Sequence, residues 1–516
     1  MLFAKKFLKS TAVVSFLSLV SRILGFIRDM LLARFFGSSI AMEAFLVAFR
    51  LPDFMRRLLT EGSVTQVLVP PFIQYQKSTK QLQYFLRQII TYVGVVTLLI
   101  SVLGIVASAV GISVLAPGFY QDATRFNLSS NLLKIMSPCI FFMSLTAILS
   151  SVLNSVKCFS VPAIAPIVLN ITIIISIFAS DYFSLPIYVV AYGVTIGGLS
   201  QVLMLIPFIW KLHLSIMPLI RLPIKAIKKL CQRLIPGIIG ASIVQISLVL
   251  DTVFASFLTA GSISWLYYSD RLTQFPLGVV GIGLSTVILP YLTQSRLEKK
   301  TFNHVLNWGL KLVCLISIPA ALGMCMLAKP ILIALFYYGE FNWIDIEHSR
   351  LALVAFSLGL VSFIMIKVLI SGLYAHHGIH SVVRVGLLCL LLNIVANIIL
   401  VILLRTYLLA YVALAISTTV TAYLNALLLF FVLKQKYGFI LEKQSCFYLL
   451  RIIAAVSLMC AVLYYYQGSS EDWINLTLSS RAVLLIKLIA IGSGSYFLGL
   501  YFMGFRKKDF SLEVHL

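Results

Sequence analysis

The chain has 516 residues, 60% of them hydrophobic and only 11% charged, with a formal net charge of +23 and a mean hydropathy of +1.02. A soluble domain carries about 25% charged residues, so the composition excludes an ordinary soluble protein and indicates many membrane-spanning helices of about 20 residues each. The positive charge reads as loop lysines and arginines plus a smaller intramembrane set. It does not read as a nucleic-acid surface, because there is no soluble domain to carry one.

Hydropathy divides the chain into about fourteen spans, at 11–36, 41–75, 86–115, 131–155, 161–180, 186–210, 234–259, 264–295, 304–336, 349–374, 382–404, 407–433, 446–466 and 482–504. Lys5, Lys6 and Lys9 before an apolar run resemble a signal peptide, but no small-residue cleavage site follows, so the segment reads as a retained first span. Alternate connections are basic. They hold Lys77 and Lys80, Lys157, the run from Lys211 to Arg233, Arg296 with Lys299 and Lys300, Arg384, Lys434 with Lys436 and Lys443, and Arg506 to Lys508. The intervening connections hold isolated bases such as Arg125, Arg405 and Arg481 among acids. The positive-inside rule then places both termini in the cytoplasm, which an even span count satisfies.

The first span carries Ser21, Arg22, Gly25, Arg28, Asp29 and Arg34. A charge near the bilayer centre costs at least about 2.5–3.5 kcal/mol, which is tolerated where the charge faces water or a charged ligand. Arg22 and Arg28 are about 240° apart on a helix and so lie on different stripes. Arg22 lies deep in its span, so a cavity position is favoured over snorkelling. Arg28 and Asp29 have freedom to pair with different partners, and Gly25 permits close helix approach.

The second span holds Arg50, Pro52, Asp53, Arg56, Arg57 and Glu61. Pro52 frees a carbonyl and bends the span. Asp53 and Arg57, and Arg57 and Glu61, are i, i+4 pairs on one face, so internal pairing of Arg57 stands beside a ligand role. Arg56 reaches only Asp53, in competition with Arg57. The segment stays net positive, and guanidinium forks suit phosphate oxygens.

Three stretches recur in order. Asp29-x-x-x-Ala33-x-Phe35 matches Asp251-x-x-x-Ala255-x-Phe257, Arg50-Leu51 matches Arg271-Leu272, and Val67–Pro70 matches Val287–Pro290, with an offset that drifts only from 222 to 220. Both copies begin with the same orientation, so the repeat is parallel, with a pseudo-twofold along the membrane normal. The predicted architecture is therefore an all-α polytopic membrane protein of about 14 transmembrane helices. It comprises a six-helix lobe at 1–220, a second at 221–436, and two extra spans with a basic tail at 437–516. Transporters of this plan bind substrate between their halves and alternate access by rocking.

In the second half, Tyr267, Asp270, Arg271, Gln274 and Pro276 form the counterpart of the second span. A private Asp270–Arg271 pair at a helix bend is as well supported as a cavity role. Arginines from both halves would make a chamber suited to a diphosphate.

The segments SRILGFIRD, AFRLPDFMRRLLTEG and YYSDRLTQFPLGVVGIGLSTVILP resemble those of the MurJ (MviN) lipid II flippases of the multidrug/oligosaccharidyl-lipid/polysaccharide exporter superfamily, over almost the whole chain. The resemblance implies that an undecaprenyl-diphosphate-linked disaccharide-pentapeptide crosses the bacterial inner membrane by alternating access through a cationic central cavity. It implies no enzymatic activity and no cofactor, with coupling to Na+, H+ or the membrane potential. Family positions fall on Ser21, Arg22, Arg28, Glu43, Arg56, Arg57, Glu61, Asp270 and Arg271. These assign Ser21, Arg22, Arg28, Arg56, Arg57 and Arg271 to the substrate, and Asp29, Glu43, Glu61 and Asp270 to gating or pairing. Where some members carry Glu after the DRL motif, this chain has Gln274, so a switch that needs an ionised carboxylate there does not transfer. A sodium site of some members matches Asp251, Asn393, Asn397 and Ser417. Oxygen ligands suit a hard cation, but Asn397 stands where a carboxylate would strengthen the site, which favours interhelical hydrogen bonding. The last two spans correspond to those that form a groove for the polyprenyl tail in the family.

Among remaining features, the eight cysteines lack CxxC or zinc spacing. His376, His377 and His380 have no nearby carboxylate or Cys and read as a solvated loop. Gly193–Gly198 is no dinucleotide fingerprint, and no P-loop occurs, which argues against direct ATP coupling. The rivals are a flippase for another polyprenyl-diphosphate glycan and a cation-coupled multidrug antiporter. The antiporter would want acidic rather than arginine-rich spans. A membrane transferase would need paired acids at a membrane face, and none appears.

Overall fold

The computed structural model describes residues 2–60, 63–75, 78–219, 245–404, 409–442 and 444–506. Among these the chain is helical throughout and has no strand. It separates into two compact units, Met1–Gly261 and Ser262–Leu516. Among the described residues, eleven helices are long and apolar enough to cross a membrane. The other three predicted spans are two that carry the intramembrane charges and one whose described helix is short, so a count of fourteen is consistent with the structure.

The N-terminal unit contains α1 (Leu2–Phe36), α2 (Ile40–Thr60), α3 (Ser63–Tyr75), α4 (Thr79–Val106), α5 (Ser108–Leu115), α6 (Ala123–Met136), α7 (Pro138–Ser155), α8 (Ser160–Ser180), α9 (Pro186–Trp210) and α10 (Gln245–Ser256). Its core joins α4, α7 and α9 through Leu86, Ile89, Ile148, Val152 and Leu205, all buried. The glycines of α9 have a packing role. A Cβ on Gly193 would lie 2.1 Å from Ser176 Oγ, one on Gly197 2.7 Å from Leu169, and one on Gly198 2.8 Å from Cys139. Small residues of this kind let apolar helices approach closely where lipid supplies no hydrophobic drive.

In sequence the repeat assigns α10 to the second half, with a lobe boundary near 220. The compact units divide at Gly261, and α10 falls in the first of them, tied to its helices. Arg50 Nε donates to Thr252 Oγ1 at 2.7 Å, and Gly118 N donates to Ser256 Oγ at 3.0 Å.

The C-terminal unit contains α11 (Ser262–Pro276), a π turn (Leu277–Gly281), α12 (Ile282–Gln294), α13 (Lys299–Met326), α14 (Ala328–Phe336), α15 (Trp343–Ala375), α16 (Ile379–Leu404), α17 (Ala410–Tyr437), α18 (Gln444–Tyr466), α19 (Ser470–Ile474) and α20 (Leu478–Phe502). The π turn follows Pro276, whose ring removes an amide donor from the helical ladder. α15 begins six residues before its predicted span, because Asn342 and Asp345 form a reciprocal capping box. The same Asp345 accepts from Trp265 Nε1 at 2.8 Å, and Ser269 Oγ donates to Ser349 O at 2.8 Å. These contacts run α11 parallel to α15.

The last two spans are fastened to this unit at both ends. At one end, Lys311 Nζ meets Glu442 Oε2 at 2.5 Å, and Asn307 bonds the backbone of Ile440 and Glu442. At the other, buried Arg481 donates to Trp473 O at 2.9 Å, Ile474 O at 2.7 Å and Tyr337 O at 3.1 Å. Its guanidinium also lies over the rings of Tyr337 and Tyr338. Arg481→Met keeps the bulk but leaves these carbonyls without their charged donor. We expect a loss of roughly 3 kcal/mol or more, measured as a lower thermal midpoint of the purified protein, with Arg481→Lys intermediate.

Candidate functional site

In the N-terminal unit the first cluster joins α1 to α8. Arg28 is 8% exposed and Asp29 2%. Arg28 Nε and Nη2 donate to Asp29 Oδ1 at 3.0 and 2.7 Å, and Nη1 donates to Asn170 Oδ1 at 3.0 Å. Asn170 Nδ2 in turn donates to Ser21 O at 3.1 Å, and its amide lies against Gly25, 3.5 Å from the position a Cβ there would take. Arg28 and Asp29 therefore pair with each other, and Arg28 also reaches α8. Arg22 is exposed on α1, on the different stripe its spacing requires.

The second cluster lies on α2, which continues through Pro52. The expected competition for Asp53 resolves into a division of its oxygens. Arg56 takes Oδ1 (Nη2 at 2.8 Å, Nε at 3.1 Å), and Arg57 Nε takes Oδ2 at 2.9 Å. Glu61, the alternative partner of Arg57, lies outside the described residues. In the first turn of α2, Glu43 is only 1% exposed and faces Arg125 Nη1 at 3.5 Å. Arg125 also pairs with Asp122 at 3.1 Å and lies over the Phe119 ring.

In the C-terminal unit, α11 carries Asp270, Arg271 and Gln274. The Gln274 amide nitrogen donates to Asp270 Oδ2, and its oxygen accepts from Arg271 Nη1 at 3.4 Å. The Arg271 guanidinium lies 4.9 Å from the Tyr267 ring centre. Gln274 thus touches both Asp270 and Arg271, for which a private pair and a cavity role stood equally open in the sequence.

Asn393, Asn397 and Ser417 are brought together, all buried, between α16 and α17. Asn393 Nδ2 donates to Ser417 Oγ at 3.2 Å, Ser417 Oγ to Asn393 O at 3.3 Å, and Asn397 Nδ2 to Asn393 Oδ1 at 3.4 Å. This is the interhelical hydrogen-bond arrangement. Asp251, the fourth candidate ligand, sits on α10 of the other unit. His376 stacks on Tyr437 at 4.4 Å and meets Phe302 edge-on at 4.5 Å. Burial, with the charge of Arg296 second, holds its pKa below the usual histidine value. His377 Nε2 lies 2.8 Å from Arg296 Nη1.

Four participants escaped sequence reasoning. Asn170 and Lys367 each had a signal, as single polar residues inside apolar runs. Lys367 is exposed on α15 beside the π turn, its Cγ 3.8 Å from the position a Cβ on Gly281 would take. Arg125 and Arg481 looked like ordinary loop bases.

A profile of the lipid II flippase MurJ matches residues 32–485. The chain belongs to the MurJ family. It is 36% identical over 501 residues to a probable lipid II flippase MurJ of Buchnera aphidicola subsp. Acyrthosiphon pisum, covering 96% of each chain. A solved structure of lipid II flippase MurJ in an inward closed conformation superposes with a TM-score of 0.81 at 27% identity, covering 95% of this chain and 98% of that one. An inward-facing multidrug resistance MATE transporter of the MOP superfamily matches with a TM-score of 0.65 at 12% identity, covering 81% and 97%, which establishes likeness of fold alone. MurJ membership makes this a multi-pass inner-membrane transporter and not an enzyme. The three family-like segments fall on α1, on α2 up to its described end, and across α11, the π turn and α12.

Asn170→Leu should remove both the acceptor for Arg28 and the donor to Ser21. We expect about 1–3 kcal/mol of destabilisation, seen as a lower thermal midpoint. Asn170→Asp, which keeps the acceptor, should lose less.

Proposed function

We propose that this MurJ-family protein flips a lipid-linked peptidoglycan precursor, an undecaprenyl-diphosphate-linked disaccharide-pentapeptide, from the cytoplasmic to the periplasmic leaflet. The observation that carries the cargo class is the set of arginines retained in membrane helices, Arg22 and Arg28 on α1, Arg56 and Arg57 on α2, and Arg271 on α11. Guanidinium groups stay charged at every physiological pH and present planar forks that match phosphate oxygens. A diphosphate is the cargo group they fit, and a cationic drug is not.

Arg22, Arg56, Arg57 and Arg271 serve as direct contacts. Arg28 is held by Asp29 and Asn170, so its contribution is to fix the field and shape of α1 near Ser21. Asp53 pairs with Arg56 and Arg57, Asp270 is joined to Arg271 through Gln274, and Glu43 pairs with Arg125. Glu61 is proposed as a gating or pairing group on sequence alone. Energy comes from the membrane potential, a Na+ or H+ gradient, or both; one charge crossing 100 mV is worth about 2.3 kcal/mol. The hydrogen-bonded Asn393–Ser417 pair supports a structural role there more than a cation site.

The test is complementation in cells depleted of their own lipid II flippase, with outer-leaflet lipid II read directly. Wild type should restore it, and Arg22→Ala and Arg271→Ala should each lose most of that activity at equal membrane abundance. Well-inserted wild type without rescue would overturn the cargo assignment.

We further infer that both termini are cytoplasmic, from the basic alternate connections. Reporter fusions at the C-terminus should be active as a cytoplasmic fluorescent protein and inactive as a periplasmic phosphatase. The opposite pattern would reverse the orientation.

A further inference from the structure

The Gln274 side chain occupies an unusual chemical position. One neighbour, the Asp270 carboxylate, can only accept a hydrogen bond when ionised, and the other, the Arg271 guanidinium, can only donate. A primary amide is neutral and offers such a pair a donor and an acceptor at once, on two separate atoms. The structure uses it that way, with the amide nitrogen toward Asp270 and the oxygen toward Arg271. The spacing fits the helix, since Asp270 to Gln274 is i, i+4 and Arg271 to Gln274 is i, i+3. The guanidinium also lies over the Tyr267 ring, 4.9 Å from its centre.

We propose that Gln274 is a positioning residue. Its amide joins Asp270 to Arg271 and holds the Arg271 guanidinium oriented for the diphosphate, and it does so without taking up or releasing a proton. The role deepens the flippase reading and rests on it for the identity of the cargo. A carboxylate in the same place could not do this neutrally. Two carboxylates at hydrogen-bond distance do not both stay ionised, so one would have to carry a shared proton. On α15, Arg350 follows Ser349, the partner of Ser269, and pairs with Glu347 at 3.0 Å. Asp345, His348 and Tyr411 meet Trp265, nine residues toward the start of α11, and Lys367 lies beside the π turn.

The experiment is a double-mutant cycle read in two ways. In the depleted cells, Gln274→Glu should lower outer-leaflet lipid II by about tenfold at neutral pH, and activity should return as the medium is acidified and the shared proton is supplied. Gln274→Leu should show a similar loss with no return on acidification. Asp270→Asn with Gln274→Glu restores a donor facing a carboxylate with the two ends exchanged, and it should exceed the activity expected from multiplying the single losses. The four corners of the cycle (wild type, Gln274→Glu, Asp270→Asn and the double variant), purified at full length, should show a non-additive thermal midpoint, with the double variant recovering part of the Gln274→Glu loss. Unchanged flipping in both Gln274 variants, or multiplicative losses in the double variant, would overturn the proposal. Failure of wild type to rescue would count against the cargo assignment. The thermal cycle would still judge the bridge, and additive shifts there would sink it.

Discussion

Placing guanidinium groups in membrane-spanning helices is the constraint around which this protein is arranged. Each such group must keep its charge, because arginine does not neutralise by losing a proton. Each must therefore find oxygen atoms. The structure supplies them in different forms. Arg28 receives a neighbouring carboxylate and a distant amide. Arg56 and Arg57 divide the two oxygens of Asp53. Arg271 meets an amide and an aromatic face, and Arg481 meets three backbone carbonyls. Arg22 is exposed instead. The partners thus range from carboxylates one to four residues away to amide and carbonyl oxygens far along the chain.

The sequence made local relations legible. Span positions followed from hydropathy, and the Asp53–Arg57 contact followed from i, i+4 spacing. The break after Pro276 followed from a missing amide donor. Relations that depend on tertiary contact stayed hidden. Asn170 meets Arg28 across 142 positions and Arg481 meets Tyr337 across 144, and no periodicity links such pairs. Arg28 and Asp29 are adjacent on α1, and the long arginine chain folds back far enough to reach the neighbouring carboxylate.

The grouping of α10 was hidden for a related reason. The repeat describes ancestry in sequence, whereas compactness follows hydrogen bonds and packing. Thr252 and Ser256 sit on a helix that resembles the start of a second copy, yet they bond to Arg50 and Gly118. A repeat boundary and a packing boundary are different physical quantities.

The glycine seam of α9 has a mechanical consequence. With almost no atoms between its backbone and the neighbouring side chains at Gly193, Gly197 and Gly198, α7, α8 and α9 have little freedom to slide or rotate past one another. They form a stiff slab. Elastic compliance must then concentrate where helical ladders are interrupted, as at Ala107, Ser137 and Leu327 and in the π turn after Pro276. Bending at those few joints would carry α7–α9 as one lever and leave the internal geometry of the slab undisturbed.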